Sequence, residues 1–134
     1  MSRFPTAAHL ASWAGVCPGH HESAGRRKSS ARRHGNRYLG AALGTAARSI
    51  ARSDNYLGAR YRRLSRRLKP NQVNVAIQHS MITAIWHMLT NDLDYQDLGG
   101  DYFLRRNPEQ ALRGLIRQAN TLGYTVRFDP IQAA

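Results

Sequence analysis

The stretch Gln72-Val-Asn-Val-Ala-Ile-Gln-His-Ser-Met-Ile-Thr-Ala-Ile-Trp-His-Met-Leu-Thr90 decides the fold class. Val73, Ala76, Ile77, Met81, Ala84, Ile85 and Met88 recur at helical spacing, and Val75, Ile82, Trp86 and Leu89 widen the stripe, which predicts a helix apolar around most of its circumference. A helix of that kind belongs at the centre of a bundle. Asn74, Gln78, His79 and His87 make it too polar to span a bilayer. His79 and His87 lie eight residues apart, roughly in line, but no Cys or carboxylate stands at ligand spacing, so a hydrogen-bonded pair at the core edge is the better reading than a metal site.

Working toward the N-terminus, Leu57, Tyr61, Leu64 and Leu68 predict a third helix that opens after Ser53 or Asp54 as cap and stops at Lys69-Pro70. Arg60, Arg63 and Arg67 fall on another of its faces. A second helix is expected from Asn36 to about Arg52, on the stripe Leu39, Ala42, Leu43, Ala46, Ala47 and Ile50, with Gly40 and Gly44 as packing positions. A short first helix takes Thr6 as N-cap, Ala7 to Ala14 as body and Gly15 as left-handed stop, with Leu10, Trp13 and Ala14 apolar. Between these two, residues 16–35 are rich in Gly, Ser, His and Arg without a hydrophobic period, and read as a long loop or irregular hairpin.

Toward the C-terminus, Asp92, Asp94, Asp97 and Asp101 surround Gly99-Gly100 without the offsets of a calcium loop, so capping and turn roles are expected. A fifth helix starts at Pro108 behind Asn107 and uses Leu112, Leu115, Ile116, Ala119 and Leu122 before Gly123. Tyr124, Val126 and Phe128 then alternate as a short strand or extended arm. The expectation is a mainly α fold of about five helices, one domain over residues 1–134, with 16–35 as a basic active-site loop and 36–134 as the helical body.

Charge narrows the function. The 134 residues carry 20 Lys+Arg and 8 Asp+Glu, a formal +12. Up to Pro70 there are 15 basic and two acidic residues (Glu22, Asp54), and beyond it five and six, so the cations belong to particular elements, chiefly Arg26 to Arg37 and Arg60 to Lys69. Basic runs are often only solvated helix faces, but two anions cannot neutralise fifteen cations, and phosphate is the fitting counter-charge. No basic helix carries a Trp/Phe/Leu face opposite its cations, which argues against a membrane surface. One cysteine, Cys17, excludes a disulfide scaffold, and Ser2, Arg3, Pro5, Thr6 and His9 interrupt any leader-like apolar run. A cytoplasmic, nucleoid-associated protein with no membrane partner is expected.

The loop Cys17-Pro-Gly-His-His-Glu-Ser-Ala-Gly-Arg-Arg-Lys28 holds the parts of a phosphoryl-transfer site. A serine attacking a phosphodiester needs a proton route, which Glu22, His20 or His21 could supply, and fixed positive charge at the phosphorus, which Arg26, Arg27 and Lys28 could supply. The same residue types also make an ordinary flexible nucleic-acid-binding loop, and spacing does not separate the two. Zinc is disfavoured by the single thiol, and a carboxylate-metal nuclease by the two acids of the basic half, so no metal is assigned to this chain.

Residues Ser2 to Gly15, Pro18, Glu22-Ser-Ala-Gly25, Gly35-Asn-Arg-Tyr-Leu39, Tyr56-Leu57, Tyr61-Arg-Arg-Leu64, Ala76 to Ser80, Tyr95 to Gly99, Asp101-Tyr-Phe103 and Leu122-Gly-Tyr124 together closely resemble the C-terminal domain of insertion-sequence 110/116/902 family transposases. The resemblance runs over essentially the whole chain. It implies a DNA recombinase in which a serine forms a covalent phosphoserine intermediate, with Ser23 at the matching Ser-x-Gly position. It also implies an N-terminal RuvC-like domain with acidic ligands for a divalent metal (Mg), absent from these residues, and assembly as a homo-oligomer that can be guided by a structured RNA. On that resemblance the chain is expected to be a truncated transposase, inactive alone, with Ser23, Glu22 and His21 catalytic. Arg26, Arg27, Lys28, Arg32, Arg33 and Arg37 would clamp phosphates, and Arg60, Arg63 and Arg67 would follow the DNA. The rival reading is a non-catalytic basic helical nucleic-acid-binding module, with Ser23 a plain loop residue.

Overall fold

A computed structural model describes residues 2–17, 21–29, 31 and 34–130, with His21, Glu22, Arg27, Lys28 and Ser29 described by their backbone. The order is α1 (Ala7–Trp13), β1 (His21–Ser23), β2 (Arg26–Ser29), α2 (Arg37–Ser49), a 3₁₀ turn (Ile50–Arg52), α3 (Tyr56–Ser65), α4 (Pro70–Asn91), α5 (Tyr102–Arg106) and α6 (Pro108–Thr121). The mainly α expectation holds. The described chain forms two compact units, residues 1–100 and 101–134. No described helix is long and apolar enough to cross a membrane.

In the first unit α4 is the spine, 22 residues and so about 33 Å long. Pro70 does not simply end the preceding helix, as the sequence suggests, but serves as the first residue of α4, where its missing N–H costs nothing. The Lys69 N–H donates to Gln72 Oε1 at 3.2 Å. Two apolar clusters form along α4. Near its start Val73 and Ile77 pack with Ala47 of α2, flanked by Tyr61, Leu64 and Leu68. Further along, Ile82 packs with Leu10, Ala11, Ala14, Val16 and Leu43, flanked by Phe4, Leu39, Ile85 and Trp86. Because α4 meets partners on more than one side, its buried residues are Val73 and Ile77 of the main stripe together with Gln78 and Ile82 beside it, while Met81 and Ile85 of that stripe pack against the clusters half-buried. His79 and His87 are both exposed, so neither is a core-edge residue.

The chain entry is tied to the far end of the spine. The Trp86 indole N–H donates to the Phe4 carbonyl at 2.8 Å, and the Phe4 ring lies 5.4 Å from Trp13. Thr6 caps α1, and Gly15, at φ +71°, supplies the left-handed turn after it. Trp13 stays 50 % exposed and Ala11 takes the buried place instead. This helix lies across its partners at Ala11 and Ala14, and small residues there let the backbones approach.

Two helix ends differ in detail from the sequence expectation. Asn36 caps α2 through a 2.9 Å bond from the Leu39 N–H, but the helix ends at Ser49 and gives way to the 3₁₀ turn. Asn55, not Ser53 or Asp54, caps α3, accepting from the Gly58 N–H at 2.8 Å. Arg62 braces this corner, donating to the Ser53 carbonyl at 2.9 Å. Asp97 closes it from 41 residues away by accepting from the Tyr56 N–H at 3.1 Å, and it also accepts from the Gly99 N–H at 2.9 Å. The aspartates thus include the expected capping role.

In the second unit, α6 has Asn107 as N-cap and Pro108 at its first position, with Gly123 left-handed beyond its end, as read from the sequence. The additional helix is α5, a single turn too short to leave a hydrophobic period. Residues 124–130 carry no helix and no ladder pairing among the described residues.

Two predictions test this frame. A Cβ at Gly58 would collide with the Ser53 carbonyl and one at Gly35 with the Ala14 backbone, while one at Gly40 meets nothing within 4 Å. Gly58→Ala and Gly35→Ala should each cost about 1–3 kcal/mol in thermal unfolding, and Gly40→Ala should be neutral or stabilising. Burial, and then the charge and hydrogen bond of Asp97, hold the Tyr95 phenol above its usual range. The folded state therefore keeps this proton more tightly, so the associated stability is complete at neutral pH and is lost as pH rises through the raised value. Asp97→Asn should lower the Tyr95 midpoint without fully normalising it, because burial remains; ultraviolet titration of tyrosinate absorbance reads the shift.

Candidate nucleic-acid interface

The basic segment expected as a loop or irregular hairpin is a two-stranded antiparallel hairpin. Ala24 and Gly25 form its turn at φ +51° and +71°. Two successive left-handed residues give a turn whose twist matches that of the flanking strands. Glycine adopts that geometry freely, whereas Ala24 bears a cost of order 1–2 kcal/mol. The Cα register pairs Ser23 with Arg26, Glu22 with Arg27 and His21 with Ser29, with an irregularity between His21 and Glu22.

Cross-strand partners share a face, so Ser23 and Arg26, both exposed, stand side by side next to the turn. Among the described elements neither strand packs against a helix. A lone two-stranded hairpin is marginal in water, and three successive cations on β2 repel one another. A polyanion laid along it would relieve that repulsion and add order.

The other basic residues separate into groups. Arg32 and Arg33 lie outside the described residues. Arg37 is the exposed first residue of α2. The expected arginine row on the third helix is broken, because α3 ends at Ser65 and leaves Arg67 in the turn beyond it. Arg60 is half-buried and turned toward α2 and α4, while Arg63 and Arg67 are exposed.

Arg37 and Arg60 line one cleft with Arg48, between α2, α3 and α4. Its volume is about 1250 Å³. Its α4 wall carries the amides Asn71, Gln72, Asn74 and Gln78 and His79 beside the apolar Val75 and Ala76, and no carboxylate lines it among the described residues. Gly44 is buried against the Gln78 amide, whereas Gly40 faces open space, so only Gly44 is a packing position. Sequence reasoning passed over Arg48 and the amides Asn71, Asn74 and Gln78. A signal was present: positions 71, 74 and 78 follow i, i+3, i+7 on the most apolar helix of the chain. Among the described residues no three His, Cys, Asp or Glu side chains gather as metal ligands would.

Comparison with known proteins bears on the first part of the chain. The model of the Transposase IS116/IS110/IS902 family matches residues 1–62, a span from the entry segment through α1, the hairpin and α2 into α3. No curated protein and no solved structure matches. Over residues 1–62, somewhat less than half of the chain, the sequence is similar to the Transposase IS116/IS110/IS902 family.

Proposed function

We propose that the chain contributes the strand-exchange chemistry of transposition, with Ser23 as nucleophile. Ser23 Oγ attacks a DNA phosphodiester, the P–O bond to the adjacent sugar oxygen breaks, and that oxygen departs with a proton. The cut strand is held as a phosphoserine ester. Attack by the sugar hydroxyl of a second strand then joins the DNA and releases the serine. Glu22 or His21, neighbours on β1, would take the serine proton and return it to the leaving oxygen. Arg26, Arg27, Lys28 and Arg37 would stabilise the charge on the pentacoordinate phosphorus.

The observation that carries this reading is the hairpin register, an exposed hydroxyl directly across from an exposed guanidinium inside the span that matches the family. A serine that only filled a turn would not need a cation opposite it. The divalent metal implied for the family's RuvC-like domain would act outside this chain, and no step here runs through it. A homo-oligomer and a structured guide RNA belong to the same proposal.

The test is covalent capture. With the family's RuvC-like domain supplied, a nicked suicide duplex bearing element ends should become linked to the chain and survive a denaturing gel. Ser23→Ala should reduce the adduct by at least about 10³-fold, and Arg26→Gln should slow it by about 10²-fold. An adduct that persists in Ser23→Ala removes Ser23 from the chemistry, and no adduct from the parent chain favours the non-catalytic binding module.

A further inference from the structure

Among the described residues the cleft between α2, α3 and α4 is lined by no residue of the hairpin strands, though it shares Arg37 with the cations proposed above for the reacting phosphate, and its lining belongs to neither an apolar core nor a solvated surface. We propose that it binds an unpaired segment of nucleic acid strand, with arginines on its phosphates and the α4 amides on its base edges. The cleft's charge, size and lining carry this.

Arg37, Arg48 and Arg60 converge on a concavity without any lining carboxylate among the described residues, and low-dielectric walls focus the field of such a set. Arg37 and Arg48 are eleven residues apart on α2, about 16 Å along its axis. That separation is too wide for one phosphate and suits several successive ones. The volume of about 1250 Å³ likewise exceeds the ~300–1,000 Å³ of ordinary small-molecule sites.

The opposite wall presents amides. Asn71 and Asn74 each carry both a donor and an acceptor, the pairing that Watson–Crick edges demand, and those edges are free only when a nucleotide is unpaired. Gln78 is 3 % exposed, a polar side chain kept in the wall at a position where the apolar face of α4 would accept Leu or Met. Two polar atoms of cleft-lining residues, Arg60 Nε and Asn74 Oδ1, are buried with no hydrogen-bond partner. Each such group costs about 1–3 kcal/mol while unpartnered, a cost that a ligand group bonded to it would remove. Val75, Ala76 and Leu68 supply an apolar surface for the faces of the bases.

The inference stands whether or not Ser23 is the nucleophile, because it is read by binding alone. Fluorescence anisotropy of the whole chain with labelled dT12, rU12 and a 12-base-pair duplex separates a DNA strand, an RNA strand and paired DNA. Gly40→Trp projects into open space at the cleft and should weaken single-strand binding at least 10-fold while changing duplex binding less than 2-fold. Asn74→Leu should weaken single-strand binding about 5-fold, leave its salt dependence unchanged, and keep or raise the melting temperature, because a buried unpartnered oxygen is removed. Arg48→Gln and Arg60→Gln should each lower the slope of log affinity against log salt by about 0.7. Unchanged dT12 and rU12 affinity in Asn74→Leu overturns the proposal, as does an equal loss for the duplex in Gly40→Trp. A lower melting temperature with unchanged binding assigns Asn74 to the fold instead.

Discussion

Burial of Val73, Ile77 and Ile82 on a single helix is the constraint on which the first unit depends. The three side chains are at most 2 % exposed, and they belong to two clusters that share no other helix as fully. Removing a well-packed aliphatic of this kind typically costs about 2–5 kcal/mol, a large part of the stability of a small domain. Because α1, α2 and α3 all pack on α4, their mutual positions follow from where each meets that helix. The arginines of α2 and α3 are brought to one cleft as a consequence, although they are far apart in the sequence.

Packing and charge are handled by different residues in this arrangement. Small side chains, Ala11, Ala14, Gly44 and Ala47, sit where helices come together, which allows close approach and leaves long basic side chains at the margins. Arg62, its side chain 48 % exposed, donates to the Ala51 and Ser53 carbonyls of the 3₁₀ corner and acts as a brace. Its neighbour Arg63 is exposed. One arginine of this basic run is therefore held by the fold, and the run cannot be treated as one electrostatic patch.

The hairpin stands under the opposite regime. It has no helical support among the described elements, includes a left-handed alanine, and concentrates positive charge. Such a segment has little intrinsic stability, so its conformation is readily biased by an anionic partner. The helix-supported cleft and the weakly supported hairpin therefore differ in how firmly the fold holds their basic residues.

The sequence by itself determined the helical class, the position of the spine, the caps at Thr6, Asn36 and Asn107, the left-handed stops at Gly15 and Gly123, and the serine-bearing basic segment. Each of these depends on local periodicity or on a residue's own backbone and hydrogen-bonding preferences, which act over a few positions. Only the tertiary structure decided that Asp97 would close the start of α3, that Trp86 would hold Phe4, that Arg60 would turn inward while Arg63 stayed outside, and that Asn71, Asn74 and Gln78 would face Arg37 and Arg48 across a cleft. The physical reason is separation along the chain. A periodic pattern states which side of a helix is apolar, but not which partner covers it, and the sites made between helices exist only after those partners are chosen.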